Sequence, residues 1–145
     1  MKAKYLVIIG LLAATFVACS RDEKDLFDKP AAVRAREAVE NAFTVLTSQE
    51  AWEMAYFPNL EADAKGYNMI VKFDKNSKVS VTAKNSLTTQ NKIMTDANST
   101  WTVKSDYGPL LSFDTYNKVL HAFSDPDPDG AGHLGDYEFL ILKAT

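Results

Sequence analysis

From Ala51 onward the apolar residues recur at every second position, and that period describes strands. Trp52, Met54 and Tyr56 alternate with Glu53 and Ala55, and Pro58-Asn59 ends that run. Tyr67, Met69, Val71 and Phe73 alternate with Asn68, Ile70 and Lys72, and Val79, Val81 and Ala83 alternate with Ser80, Thr82 and Lys84. A strand points successive side chains to opposite faces, so this alternation marks a sheet with one face buried. Asp74-Lys75-Asn76-Ser77 is turn chemistry between two such runs, so residues 67–84 are expected to form a hairpin with a four-residue loop.

The rest of the chain after Ala51 is read by the same rule. Residues 85–98 are polar and read as a loop or a weak edge strand. Ser99 to Lys104 reads as a strand with Trp101 and Val103 on one side. Tyr107 to Phe123 holds a Gly-Pro turn and two apolar runs. These are expected to be antiparallel strands, Leu110–Phe113 and Val119–Phe123, connected at Asp114–Lys118. Ser124 to Asp136 is a loop rich in Asp, Pro and Gly. Tyr137 to Leu142 is the last strand, with apolar residues on both faces, which predicts burial on both sides.

Before the strands, Ala35, Val39, Ala42, Phe43 and Leu46 fall on one face at helical spacing. Asp28 suits the N-cap and Pro30 the first turn, where a missing N–H costs little. The expected fold is therefore mainly β: an antiparallel curled sheet, barrel- or sandwich-like, with one N-terminal helix. The β domain is assigned to residues 30–145. Its end at Lys143-Ala144-Thr145, straight after an apolar strand, reads as an interrupted domain.

Residues 1–18 belong to a different class. Lys2 and Lys4 precede an uncharged, almost wholly apolar run from Tyr5 to Val17. That run is shorter than the roughly 20 apolar residues a membrane-spanning helix needs, and it suits a secretory signal. Phe16-Val17-Ala18-Cys19 resembles the lipobox of bacterial lipoproteins, although Phe16 stands where Leu is usual. The resemblance implies lipidation of Cys19, the single cysteine of the chain. Ser20 to Asp25 is charge-rich, and residues 19–29 read as a tether. This charged stretch also resembles the export signal of surface lipoproteins of Bacteroidota, which implies a lipid anchor in the outer membrane, facing the cell surface.

The charge balance bears on partners. The chain carries 16 basic and 19 acidic residues. Removing residues 1–18, which contain Lys2 and Lys4, leaves 14 basic against the same 19 acidic. No basic stripe is present, so a nucleic-acid partner is not expected.

Several stretches together resemble the lipoprotein family called domain of unknown function 4302. They are Trp52-Glu53-Met54-Ala55-Tyr56-Phe57-Pro58, Gly66-Tyr67-Asn68-Met69, the run from Gly108 to Asn117, the run from Leu120 to Pro126, and Gly135-Asp136-Tyr137-Glu138-Phe139. Members are typically longer, so the resemblance implies an N-terminal portion. It also implies a surface or periplasmic lipoprotein associated with nutrient uptake, and it brings no catalytic residues.

Three groups of residues are candidates for chemistry. Asp125, Asp127, Asp129 and Gly130, followed by Asp136, match the spacing of a calcium loop, with Asp in place of the final Glu. Against that, Pro126 and Pro128 stiffen the loop, its flanks read as strands, and Asp, Pro and Gly also make an ordinary surface turn. Trp52, Tyr56 and Trp101 are candidates for a sugar-stacking platform, with core packing as the alternative. His121 reads as a hydrogen-bonded structural histidine and His133 as an exposed loop residue. Two histidines, with no thiol beyond Cys19, argue against zinc.

The sequence thus predicts a surface-anchored, non-enzymatic binding module linked to nutrient uptake. A glycan or an outer-membrane protein is the expected partner, and no cofactor is expected unless calcium. The alternatives are a structural or assembly protein of the envelope, a calcium-stabilised domain, and a hydrolase whose catalytic residues lie outside this chain.

Overall fold

The computed structural model describes residues 28–58, 66–125 and 133–145. The chain divides into a unit of Met1–Ala31 and a unit of Ala32–Thr145, and the second contains the sheet. Residues 1–27, which hold Cys19, the expected signal and most of the expected tether, lie outside the described residues.

The helix α1 spans Ala31–Leu46. Six strands follow: β1 (Trp52–Tyr56), β2 (Tyr67–Phe73), β3 (Lys78–Ala83), β4 (Met94–Ser105), β5 (Pro109–Phe113) and β6 (Glu138–Leu140). They form an antiparallel sheet in the order β1-β2-β3-β4-β5-β6. Among the described residues this is a mainly β fold in which the sheet curls into a half-barrel with one long helix, α1.

The hairpin β2–β3 forms as the alternation requires. Met69, Val71 and Phe73 face inward opposite Ala83, Val81 and Val79. At its turn the N–H of Asn76 donates to Asp74 Oδ1 at 2.5 Å, and the N–H of Ser77 donates to the Asp74 carbonyl at 3.1 Å. Ser77 takes a positive φ of 62° to close the loop.

The curl comes from β4. Its residues 94–100 pair with β3 and its residues 101–105 pair with β5. The register with β3 shifts between Val79 and Val81, so Asp96 and Ser99 both face inward three positions apart. An extra residue of this kind bends a strand and increases its twist. The weak-edge reading of residues 85–98 is thereby corrected. Residues 94–98 are the first half of the longest strand, and β4 lies inside the sheet.

Trp101, Phe113, Val119, Leu120 and Phe123 are sealed in the core with the inward residues of β2 and β3. The helix packs through Phe43, whose ring stacks on Trp101 with centroids 5.2 Å apart and an angle of 11°. The Trp52 indole N–H donates to the last helical carbonyl, that of Leu46, at 2.8 Å.

Two further expectations are overturned. Residues 119–123 are not a strand. They form a turn ending in the 3₁₀ helix His121–Phe123, and β5 pairs instead with β4 and β6. The last strand is three residues long and is not buried on both faces, because Tyr137, Leu140 and Leu142 are exposed. Gly135 is required where the chain approaches β6. A Cβ there would lie 2.5 Å from both the Phe123 Cβ and the Tyr56 hydroxyl.

Candidate functional site

The outer face of β4, β5 and β6 carries a row of polar side chains. Thr102 lies opposite Ser112, and Ser112 opposite Glu138. Lys104 and Asp114 flank this row, each two residues further along its strand on the same face. Residues on one face of paired strands interact directly and diagonally, and here they converge on Ser112, which is 1% exposed.

Lys104 Nζ donates to Ser112 Oγ at 2.9 Å and approaches Asp114 Oδ1 at 3.0 Å and Glu138 Oε1 at 3.2 Å. An ammonium has three N–H donors and no acceptor, so these three partners use all of them. Ser112 has one hydroxyl hydrogen and two carboxylate oxygens within reach, Asp114 Oδ1 at 2.7 Å and Glu138 Oε1 at 3.0 Å.

The electrostatics follow from these contacts. Asp114 and then Glu138 raise the Lys104 ammonium above its ordinary range, so it stays protonated. Burial pushes the Asp114 carboxyl up, but bonds from Ser112 and Lys104 outweigh it and hold the group below the usual range. Glu138 is lowered first by Ser112 and then by Lys104.

Beside this network the turn after β5 supplies three rings. His121 stacks on Tyr137 at 4.8 Å and 22° and lies against Tyr116 at 5.3 Å and 37°. His121 is 8% exposed, and its Nδ1 accepts the main-chain N–H of Asn117 at 2.9 Å. Burial lowers its pKa, opposed by a main-chain bond at Phe113 and by the charge of Asp125. The Tyr116 hydroxyl donates to Asp125 Oδ2, and this bond together with burial raises the phenol. Between the polar row and the rings lies an open cleft of about 400 Å³, lined by Lys104, Ser112, Asp114, Tyr116, Tyr137 and Glu138 among others.

The sequence-derived candidates fall elsewhere or only partly here. Trp101 is 0% exposed, its Nε1–H donating to the Asp74 carbonyl at 3.1 Å and its ring against Phe43 and Phe73. Tyr56 is 3% exposed and packs on Phe123 and Phe139. Trp52 is half-buried under the helix end. The three rings are inward-facing, so they offer no sugar-stacking platform, and the half-exposed aromatics of the cleft are Tyr116 and Tyr137.

Of the calcium candidates, Asp127 and Asp129 lie outside the described residues. Asp125 holds the Tyr116 hydroxyl, and the carbonyl of Asp136 accepts the Tyr56 hydroxyl at 2.9 Å. His121 is hydrogen-bonded, as expected of a structural histidine, though it sits in a turn instead of a strand. His133 is half-buried.

Sequence reasoning missed Lys104, Ser112, Asp114 and Glu138 because they are distant in the chain and unremarkable singly. The available signal was the polar alternation itself. Ser112 is the outward residue of an otherwise apolar strand, and Lys104 and Glu138 are outward residues of the two strands beside it.

Fold and cleft together define a mainly β half-barrel domain with a polar, aromatic-flanked cleft on its outer sheet face. The family model described as Domain of unknown function (DUF4302) matches residues 23–145, and the chain belongs to that family. No curated protein and no solved structure matches it. Among the described residues no helix is long and apolar enough to cross a membrane.

Proposed function

We propose that this domain is the non-enzymatic binding module of a lipid-anchored envelope protein serving nutrient uptake, and that the cleft is where it binds. The observation that supports binding over catalysis is the state of Lys104. A serine placed 2.9 Å from a lysine invites comparison with a Ser–Lys nucleophile, but a general base must be able to lose its proton near working pH. Two carboxylates hold this lysine ionised, and its donors are consumed. The imidazole is committed to the Asn117 N–H through Nδ1 and is stacked on Tyr137. What remains is a preformed, polar and aromatic surface of the kind that orients a ligand.

A serine-reactive fluorophosphonate probe tests this reading. The expected result is no labelling of Ser112. Labelling that disappears in Ser112→Ala would contradict a binding module and favour a hydrolase.

Anchoring is proposed from the signal and lipobox pattern at Phe16-Val17-Ala18-Cys19. Growth with a palmitate analogue is expected to label the chain and place it in the membrane fraction, and Cys19→Ser is expected to abolish both. Label retained in Cys19→Ser would overturn the anchor.

A further inference from the structure

We infer that the cleft takes an organic cation, a primary ammonium or guanidinium group, carried by a free polyamine or by a basic peptide. The inference rests on reading the cleft as a binding site and adds the class of ligand.

Most donors that line the cleft are already spent on the protein; among the described residues the Tyr137 hydroxyl is the exception. Lys104 gives its three N–H bonds to Ser112, Asp114 and Glu138. Ser112 gives its one hydrogen to Asp114 or Glu138. Tyr116 gives its hydroxyl hydrogen to Asp125, and Ser124 gives its own to the His121 carbonyl at 2.9 Å.

Acceptors are left over. Glu138 bonds through Oε1 and Asp125 through Oδ2, so among the described residues Glu138 Oε2 and Asp125 Oδ1 have no donor. A ligand suited to this surface brings donors and needs few. Ammonium and guanidinium groups are donors without acceptors. A neutral sugar hydroxyl brings both, and beyond the Tyr137 hydroxyl its acceptor side would find few donors here.

The charge and the rings of the cleft also suit a cation. Three carboxylates, Asp114, Asp125 and Glu138, and one ammonium, Lys104, line the cleft, so it repels anions and draws cations. Tyr137 and Tyr116 are 43% and 54% exposed beside those carboxylates, and a cation over a tyrosine face is attracted by the ring quadrupole.

The test is calorimetry on the full chain at low ionic strength with three probes: spermidine, a lysine- and arginine-rich decapeptide, and maltotriose. Glu138→Gln and Asp125→Asn preserve side-chain shape and remove charge, and Glu53→Gln removes an exposed charge on β1. The expected result is saturable binding of spermidine, the peptide or both, weakened at least about tenfold in Glu138→Gln or Asp125→Asn, the size of one charged hydrogen bond, and unchanged in Glu53→Gln. Binding of spermidine identifies the free cation as sufficient, and binding of the peptide alone identifies a peptide ligand.

Equal weakening in Glu53→Gln would reduce the effect to diffuse charge and overturn the inference. Silence of both cations with maltotriose binding that is lost in Glu138→Gln would overturn the cation class while leaving the cleft a binding site. Silence of all three probes would also overturn it. Fluorophosphonate labelling bears separately on whether the cleft is a binding module at all.

Discussion

The side-chain amide of Asn117 donates through Nδ2 to the main-chain carbonyl of Asp96 at 3.2 Å, joining the turn after β5 to the bend in β4. The same Nδ2 reaches Ser99 Oγ at 2.8 Å, and Oδ1 accepts the N–H groups of Val119 and Leu120. The Asp96 carboxylate in turn accepts the N–H of Lys118 at 2.9 Å. Burial raises this carboxyl, but the N–H groups of Lys118 and Asn98 outweigh it and leave it below the usual range. Asn117 is 0% exposed with both amide atoms committed, so one residue fixes both the curl of the sheet and the turn that carries Tyr116 and His121.

Asn117→Asp keeps the shape, removes both donors and adds a buried charge near Asp96. It is expected to destabilise the fold by about 3 kcal/mol, since buried polar groups lose their partners and a charge is left unpaired. Urea unfolding measures this. A loss below about 1 kcal/mol would mean the bend does not depend on the amide.

That hub also explains what was legible in the sequence and what was not. The β2–β3 hairpin was legible because its alternation is unbroken and its turn residues are typical. The start of β4 was hidden because the register shift breaks the period and places Asp96 and Ser99 inside, where polar residues are not expected. Their burial is tolerated largely through Tyr116, Asn117 and Lys118, which lie about 20 residues further on. Val119 to Phe123 read as a strand because five mostly apolar residues suit either period. Their inward members are Val119, Leu120 and Phe123, a helical spacing, and Asn117 bonding two and three residues ahead is helix-capping chemistry. The cleft was not legible because its parts meet only through strand pairing.

Tyr56 ties the first strand to the segment entering the last through its bond to the Asp136 carbonyl. Burial pushes its phenol from 10.0 to about 12. The unfolded chain therefore ionises first, so this contribution to stability is whole below pH 10.0 and is lost as pH rises toward about 12. Tyr56→Phe is expected to cost about 1 to 2 kcal/mol at neutral pH and to flatten the alkaline loss. Chemical denaturation from pH 8 to 11, about the range that brackets an ordinary tyrosine, checks both, and an unaltered alkaline slope would refute the assignment.

His121 gives the opposite pH dependence. Its folded pKa is lowered, chiefly by burial, so the unfolded chain takes the proton more readily. Its contribution is present above the ordinary histidine pKa and is lost as pH falls through that value toward the folded one. Protonation of Nδ1 also sets two donors against each other at Asn117. Urea midpoints are expected to fall on acidification below about pH 6.5. His121→Asn, which can place an acceptor near the Nδ1 position, is expected to reduce that slope. An equal slope in the variant would assign the acid sensitivity elsewhere.

The binding role proposed for the cleft requires Lys104 to be a spent, charged member of its surface and not a base for Ser112. Its Nζ titration, followed by NMR with labelled lysine and assigned through Lys104→Arg, tests this most directly. A pKa above that of an ordinary lysine is expected, falling back toward it in Asp114→Asn. A Lys104 pKa depressed toward neutrality would contradict the account and restore a Ser–Lys catalytic pair.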